Sequence, residues 1–321
     1  MSAFYSIGMI MMFLFAGIAA AKLKMVPEGR LFNFFLNFSL FMLLFFMGFR
    51  IGRNEEISKA LKTIGIVSVT FAFATTAGTA LVLYISFYIR DKIGINMHKR
   101  NSVRKSGSVA DARGTGDSFI HHLKDPLKLV SFVIAGFAAG TLLDIYPAYT
   151  GATAATWLLN LLLFMIGAQL VRNNVDLRET LAHPETAILP LGTIAGSLLG
   201  GLIAAPFLAL SPGKALALAS GFGWYSLSGV IITDLGDPIL GSAGFLINLM
   251  REGIALVTIP FIAGTRYPAI GIGVAGATSM DVTLPLIEKS CGDQVVPLSI
   301  SSGAILSLAV PFLVPLFFQA G

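Results

Sequence analysis

Long apolar stretches separated by shorter polar ones make up most of this chain. Runs of about 18 or more apolar residues recur, and each is long enough to cross the hydrocarbon core of a bilayer as a helix. This pattern predicts an all-α polytopic membrane protein, because a transmembrane β-barrel shows alternating segments of about ten residues instead. The apolar segments lie near 3–21, 31–49, 63–89, 129–147, 153–171, 187–210, 215–233, 242–263, 268–288 and 293–319.

Two of these segments carry the signals of interrupted helices. The string SGFGWYSLSG, from Ser220 to Gly229, combines three glycines with three serine hydroxyls, and GATSMD precedes Pro285 in the segment near 268–288. Non-helical backbone at membrane depth is tolerated only where it is buried in protein or lines a cavity. We therefore predict about eight transmembrane helices plus two broken or re-entrant segments, with ten complete spans as the alternative.

An internal repeat relates the early segments to later ones. Adding 119 to the residue number takes Gly17 to Gly136 and Arg53-Asn54 to Arg172-Asn173. Because three spans separate the copies, the second copy enters the membrane from the opposite side, and inverted repeats of this kind are common in secondary transporters. The predicted parts are a three-span repeat (1–90), a polar flexible loop (91–128), a second three-span repeat (129–210) and a C-terminal segment with the transport site (211–321).

Composition and charge agree with a membrane protein. Charged residues make up 12% of the chain, against about 25% in soluble domains. Lysine and arginine concentrate in alternate loops, which predicts that both termini lie outside. Such loops also explain the net charge of +5, so the expected partner is a lipid bilayer and not a nucleic acid. Cys291 is the only cysteine, and no metal site, cofactor site or enzymatic motif is predicted.

Two carboxylates interrupt the apolar runs of the C-terminal part. A charged side chain at the bilayer centre costs about 2.5–3.5 kcal/mol on insertion scales, so Glu252 and Asp281 indicate a path for an ion, a proton or a charged substrate. Gly244, Asn248 and Glu252 are four residues apart and share a helix face. Arg251 points about 100° away from Glu252, so the two cannot pair along the helix. A buried structural ion pair with another segment is the alternative for each charge.

With Asp234, Asn248 and Arg251-Glu252 between them, the strings SGFGWYSLSG and GATSMDVTLP resemble the bacterial lysine exporter family (LysO type). The resemblance implies an inner-membrane protein with eight spans and both termini outside, which exports L-lysine and its toxic analogue thialysine through intramembrane acids. Glu252 and Asp281 match those acids, and Asp234 is a third candidate. The predicted substrate- and proton-binding residues are these three acids together with Asn248, Arg251, Trp224, Tyr225 and Ser279.

The chemistry of lysine suits these residues. Its ε-ammonium needs a carboxylate, which Glu252 or Asp281 can supply. Its α-carboxylate can bind backbone N–H groups at the start of a broken helix or, alternatively, Arg251. A carboxylate that holds either a proton or an ammonium predicts proton antiport, with protons as the second partner. A monovalent cation/proton antiporter is the first alternative, and a passive channel is the second.

Overall fold

The computed structural model describes residues 2–26, 29–53, 55–93, 115–142, 150–172 and 184–321, which contain helices and no strand. The α-helices are α1 (Ser2–Lys22), α2 (Arg30–Arg53), α3 (Glu55–Ile93), α4 (Thr115–Leu142), α5 (Thr150–Arg172), α6 (Pro184–Ala204), α7 (Pro212–Ala219), α8 (Tyr225–Asp234), α9 (Pro238–Ala263), α10 (Ile270–Ala275), α11 (Leu284–Cys291) and α12 (Val296–Gln319). Short 3₁₀ helices cover Ala205–Leu208, Gly276–Met280 and Asp293–Val295.

The all-α prediction is confirmed over the described residues. Five of their helical segments are both long and apolar enough to cross a membrane: Arg30–Phe49, Lys62–Lys92, Thr186–Leu208, Pro238–Ala263 and Asp293–Gln319. The apolar stretches of α1, α4 and α5 are shorter. Helix α4 begins at Thr115, so the last part of the predicted loop is helical, and residues 94–114 lie outside the described residues.

Glycines allow the first helices to pack at backbone distance. Helix α1 packs against α5, and α2 packs against α4. A Cβ atom on Gly17 would overlap the backbone of Phe164, and one on Gly136 would overlap the backbone of Phe45. Adding 119 to the residue number takes Gly17 to Gly136 and Phe45 to Phe164, so the two contacts use corresponding residues of the predicted repeat.

Helices α3 and α6 form a third close pair with its own matching sequence. Gly78 and Gly196 face each other at backbone distance. They lie within the strings TTAGT (75–79) and TIAGS (193–197), which are 118 residues apart. The first threonine of each string donates a hydrogen bond to the carbonyl four residues earlier, at 2.7 Å in α3 and 2.8 Å in α6. The predicted repeat did not include this match, although the shared T-x-A-G-[ST] pattern is visible in the chain.

The packing of α1 gives a first testable prediction. We expect Gly17→Val to lower the apparent melting temperature of the detergent-solubilised protein, because the added carbons meet the backbone of Phe164, and overpacking typically costs about 1–3 kcal/mol. Gly8→Val is the matched control in the same helix, since nothing lies within 4 Å of the Cβ position there. Equal melting temperatures for the two variants would contradict the packing of α1 on α5.

Helices α7 and α8 form a hairpin whose two ends meet. We call it the first hairpin (212–237). The Lys214 Nζ atom lies 2.9 Å from Asp237 Oδ2. Asp237 also caps α9, because its Oδ1 atom accepts a hydrogen bond from the backbone N–H of Leu240 at 2.9 Å. Gly213 packs against Gly321, just beyond the end of α12. The chain therefore returns after α8 to the end of the molecule at which α7 began.

The second hairpin (268–291) is built from α10, the 3₁₀ turn and α11. The Sγ atom of Cys291 lies 3.9 Å from the carbonyl oxygen of Pro268, so the two ends of this hairpin are also adjacent. Ile270 and Ile287 are buried in the same apolar cluster as Cys291. Helix α9 connects the base of the first hairpin to the base of the second. The two hairpins therefore point towards each other from opposite ends of α9.

The tips of the hairpins meet at residues 220–224 and 276–283. The backbone N–H of Ala277 donates a hydrogen bond of 2.8 Å to the carbonyl oxygen of Phe222. Phe222, Gly223 and Gly276 all have positive φ angles, of 46°, 93° and 70°. These left-handed conformations turn the chain sharply at both tips, and glycine adopts them without a steric penalty. Both predicted interruptions are thus real breaks, and they contact each other.

The base of the second hairpin is fastened to α3. Asp91 Oδ2 accepts hydrogen bonds from Tyr267 Oη at 3.0 Å and from Arg266 Nη2 at 3.1 Å. Burial and the hydrogen bond to Asp91 raise the pKa of Tyr267, so the phenol stays a donor at neutral pH. The base of the second hairpin therefore lies at the end of the molecule where α3 finishes.

Candidate functional site

Asn248 fixes the first tip to α9. Its Oδ1 atom accepts a hydrogen bond from the backbone N–H of Gly223 at 2.7 Å. Its Nδ2 atom donates to Ser228 Oγ at 3.1 Å and to the carbonyl oxygen of Gly244 at 2.9 Å. Three of the four hydrogen-bonding positions of the amide are used within the protein, which leaves one acceptor lone pair. The structure therefore gives Asn248, predicted to contact substrate, the role of holding the broken backbone.

Glu252 lies one helical turn beyond Asn248, near the middle of α9. Its side chain is 1% exposed, and neither carboxylate oxygen has a hydrogen-bond partner among the described residues. An ionised carboxylate without a partner is very costly in a dry interior. Such a group is stabilised by a proton or by a bound cation. Glu252 is thus the described side chain with the strongest unmet requirement for a positively charged partner.

Asp281 follows the 3₁₀ turn at the second tip. It is exposed, unlike Glu252, and its Oδ1 atom accepts a hydrogen bond from the backbone N–H of Val282 at 2.6 Å. The second tip contacts the first tip, and the first tip is bonded to Asn248, one helical turn before Glu252. The fold therefore brings together the two acids identified in the sequence. One is buried on α9 and the other is accessible at the second tip.

Arg251 donates four hydrogen bonds to protein oxygens. It is 1% exposed, with Nη1 2.8 Å from Ser197 Oγ and Nη2 3.0 Å from Thr79 Oγ1. Nε and Nη2 also point to the carbonyl oxygens of Val274 and Gly273, each at 3.5 Å. The guanidinium thus joins α9 to α3, α6 and α10. This arrangement argues against Arg251 as the clamp for a substrate carboxylate.

The partners of Arg251 were not identified from the sequence. Thr79 and Ser197 end the matching strings TTAGT and TIAGS, so they occupy corresponding positions of α3 and α6. Periodicity alone marks both as ordinary small polar residues of a helix interface. The signal that identifies them is the repeated T-x-A-G-[ST] pattern in two helices that pack together.

The remaining predicted residues near the tips have mainly structural contacts. Ser279 is buried and forms a reciprocal pair with Ser299, in which each Oγ donates to the other residue's carbonyl oxygen at 3.0 and 2.8 Å. The Tyr225 ring is buried edge-to-face against Phe245, with 5.6 Å between ring centroids. Trp224 is half-buried at the first tip, immediately before α8. Of the two neighbouring aromatic residues, Trp224 and Tyr225, only Trp224 retains accessible surface.

Asp234 lies away from the other two acids. It accepts a hydrogen bond of 2.8 Å from Thr156 Oγ1 and lines a small cavity that includes Met47 and Ala155. It stands at the base of the first hairpin, near Asp237. At a rise of 1.5 Å per residue, Asp237 and Glu252 are about 22 Å apart along α9. The fold therefore does not bring Asp234 to the tips.

The described residues hold no group of three or more His, Cys, Asp or Glu side chains that could bind a metal ion. The arrangement that remains is a pair of carboxylates at the meeting point of two helix breaks. Glu252 is buried on α9 and Asp281 is exposed at the second tip, while the half-buried Trp224 lies at the first tip. Chemically, such a site can exchange one cation or proton for another.

Comparison with known proteins identifies the relatives of this chain. The sequence model of the family described as "Lysine exporter LysO" matches residues 11–103 and 130–318. The "Lysine exporter LysO" of Escherichia coli (strain K12) is 34% identical over 288 residues, which cover 89% of this chain and 90% of that protein. A "Putative lysine exporter" of Haemophilus influenzae is 37% identical over 190 residues, which cover 59% of this chain and 96% of that protein. No solved structure shows a significant match.

Proposed function

This chain belongs to the lysine exporter LysO family, and from that premise we propose that it exports L-lysine, and its analogue thialysine, from the cytoplasm in exchange for protons. The family is one of membrane transporters and not of enzymes. The observation that carries the proposal is the pair of acids at the hairpin tips. The buried, unpartnered carboxylate of Glu252 needs a cationic ligand or a proton, and Asp281 beside it is accessible.

We propose a topology of eight membrane spans and two re-entrant hairpins, with both termini outside the bacterial inner membrane. The spans are α1 to α6, α9 and α12. The Lys214–Asp237 and Cys291–Pro268 contacts support re-entrant hairpins, because a spanning segment would hold its two ends about 30 Å apart. In this topology the first hairpin enters from outside and the second from the cytoplasm.

The glycine contacts support the inverted repeat. The Gly17–Phe164 and Gly136–Phe45 contacts relate α1 and α2 to α4 and α5, and the T-x-A-G-[ST] strings relate α3 to α6. The two hairpins repeat the same scheme, since each is followed by one span, α9 or α12. Opposed hairpins of this kind place a binding site at the midplane, where both halves meet.

We place lysine between the two tips. Its ε-ammonium binds Glu252 or Asp281, and its α-carboxylate binds backbone N–H groups exposed by the helix breaks, where the helix dipole favours an anion. Of the two sites considered for the α-carboxylate, the backbone is favoured, because Arg251 already donates to hydroxyl and carbonyl groups. Trp224 supplies an apolar surface beside the site.

Exchange follows from competition for the same carboxylate. A carboxylate can bind a proton or an ammonium but not both, so loading of one cargo releases the other. Lysine leaves as a monovalent cation, and moving one charge against 100 mV requires about 2.3 kcal/mol. One proton in for one lysine out is electroneutral, so the pH gradient drives export and the potential does not oppose it.

Proteoliposomes test this coupling. We expect radiolabelled lysine efflux from preloaded vesicles to accelerate when the external medium is acidified with the membrane potential clamped at zero. Sodium replaces lysine in a parallel assay. If acidification accelerates the efflux of sodium but not that of lysine, the protein is a monovalent cation/proton antiporter. Lysine flux that is indifferent to the pH gradient would instead indicate a passive channel.

A further inference from the structure

Arg251 carries a buried positive charge with no anionic partner. No carboxylate of the described residues lies within ion-pair distance of its guanidinium, which contacts hydroxyl and carbonyl oxygens alone. Arg251 and Glu252 are the two charged side chains that are buried among the described residues. Because an arginine side chain does not lose its proton under physiological conditions, this charge stays in place throughout transport.

The charge of Arg251 lies beside the candidate site. Arg251 precedes Glu252 on α9, and its guanidinium points to carbonyl oxygens of α10, in the hairpin that carries Asp281. With both acids ionised, the three side chains have a net charge of −1. Lysine, with two ammonium groups and one carboxylate, has a net charge of +1 and restores neutrality. A single proton does the same.

A diamine of the same length without the carboxylate would have a net charge of +2. Its binding would leave one uncompensated positive charge in a site buried between helices. Two unit charges about 8 Å apart interact strongly at the effective dielectric of a protein interior, enough to change an equilibrium by more than tenfold. The fixed cation therefore disfavours a second positive charge on the cargo.

We propose that Arg251 is a specificity-determining residue, which limits the site to one net positive charge and so selects lysine against diamines. This inference rests on the proposed export of lysine. In the proposed selection, Thr79 and Ser197 hold the Arg251 guanidinium in position from corresponding places on α3 and α6. The side chain acts through its charge and does not touch the substrate.

Uptake of radiolabelled lysine and of 1,5-diaminopentane into proteoliposomes tests the proposal. We expect the wild-type protein to prefer lysine and Arg251→Gln to lower the lysine-to-diamine ratio by about tenfold. Arg251→Lys keeps the charge but loses the planar donor geometry, so its ratio should stay within about threefold of wild type. If Arg251→Gln fails to insert, Arg251→Met is the second uncharged variant, because a methionine side chain is unbranched and flexible and can fill the space of the arginine stem.

The outcomes separate the inference from the proposed function. Wild-type protein that transports no lysine would refute the proposed function and the inference together. Wild-type lysine transport with an unchanged ratio in the uncharged variant would overturn the inference alone. An equal loss of selectivity in Arg251→Lys and Arg251→Gln would also overturn it, because geometry and not charge would then be the cause.

Discussion

Glu252→Gln and Asp281→Asn should each reduce lysine export by about a hundredfold, because each removes a negative charge that the ammonium of bound lysine needs, and losing one partner of a desolvated charge pair costs about 2–5 kcal/mol. Both substitutions keep the shape of the side chain and remove its charge. Glu252 has no hydrogen-bond partner among the described residues, so its amide replacement breaks no internal hydrogen bond. Export is measured as lysine efflux from loaded cells or vesicles.

Glu288→Gln is the matched control for this pair. Glu288 lies on α11, in the same hairpin as Asp281, and its side chain is exposed. We expect this variant to export lysine at the wild-type rate. The amount of each variant in the membrane is measured in parallel. Normal export by either tip variant would remove that acid from the mechanism, and loss of the protein from the membrane would assign it a structural role.

Gly276→Ala should abolish transport and lower the apparent melting temperature. Gly276 has a φ angle of 70°, and a Cβ atom there would overlap the carbonyl oxygen of Phe222. That oxygen accepts the hydrogen bond from Ala277 that joins the tips. The positive φ angle costs alanine about 1–3 kcal/mol, and the overlap costs about 1–3 kcal/mol more.

Gly292→Ala separates these two costs. Gly292 follows α11 with a φ angle of 91°, but nothing lies within 4 Å of its Cβ position. This variant carries the backbone cost without any overlap. We expect it to lose some thermal stability and to retain transport. If Gly276→Ala transports lysine as well as Gly292→Ala does, the contact between the tips is not needed for function.

The sequence predicted the helices and their interruptions well, because both depend on local chemistry. Apolar runs of membrane length specify helices, and the glycine density of SGFGWYSLSG and GATSMD specifies breaks within them. The two acids were recognisable for a similar reason, since a carboxylate in an apolar run is costly wherever it lies. Helix periodicity also correctly placed Asn248 and Glu252 on the same side of α9.

Partners across the fold could not be predicted in this way. Periodicity gives the direction of a side chain but not the atom it meets, so the hydrogen bonds of Asn248 and Ser279 to backbone groups were not predicted. Their contact with the substrate stays a prediction. The position of Asp234 at the hairpin base depends on the return of the chain to Lys214, a long-range property. Thr79 and Ser197 were missed because small hydroxyl residues are common in membrane helix interfaces.

The opposed hairpins have an electrical consequence. In the proposed topology the hairpins enter from opposite sides and meet at the backbone contact between Phe222 and Ala277, so the layer between the compartments would be thinnest there. The transmembrane voltage falls mainly across the layer that water does not enter. A charge that moves only a few ångström past the tips therefore crosses most of the voltage. Small displacements of the hairpins would then suffice to move a cargo electrically from one compartment to the other.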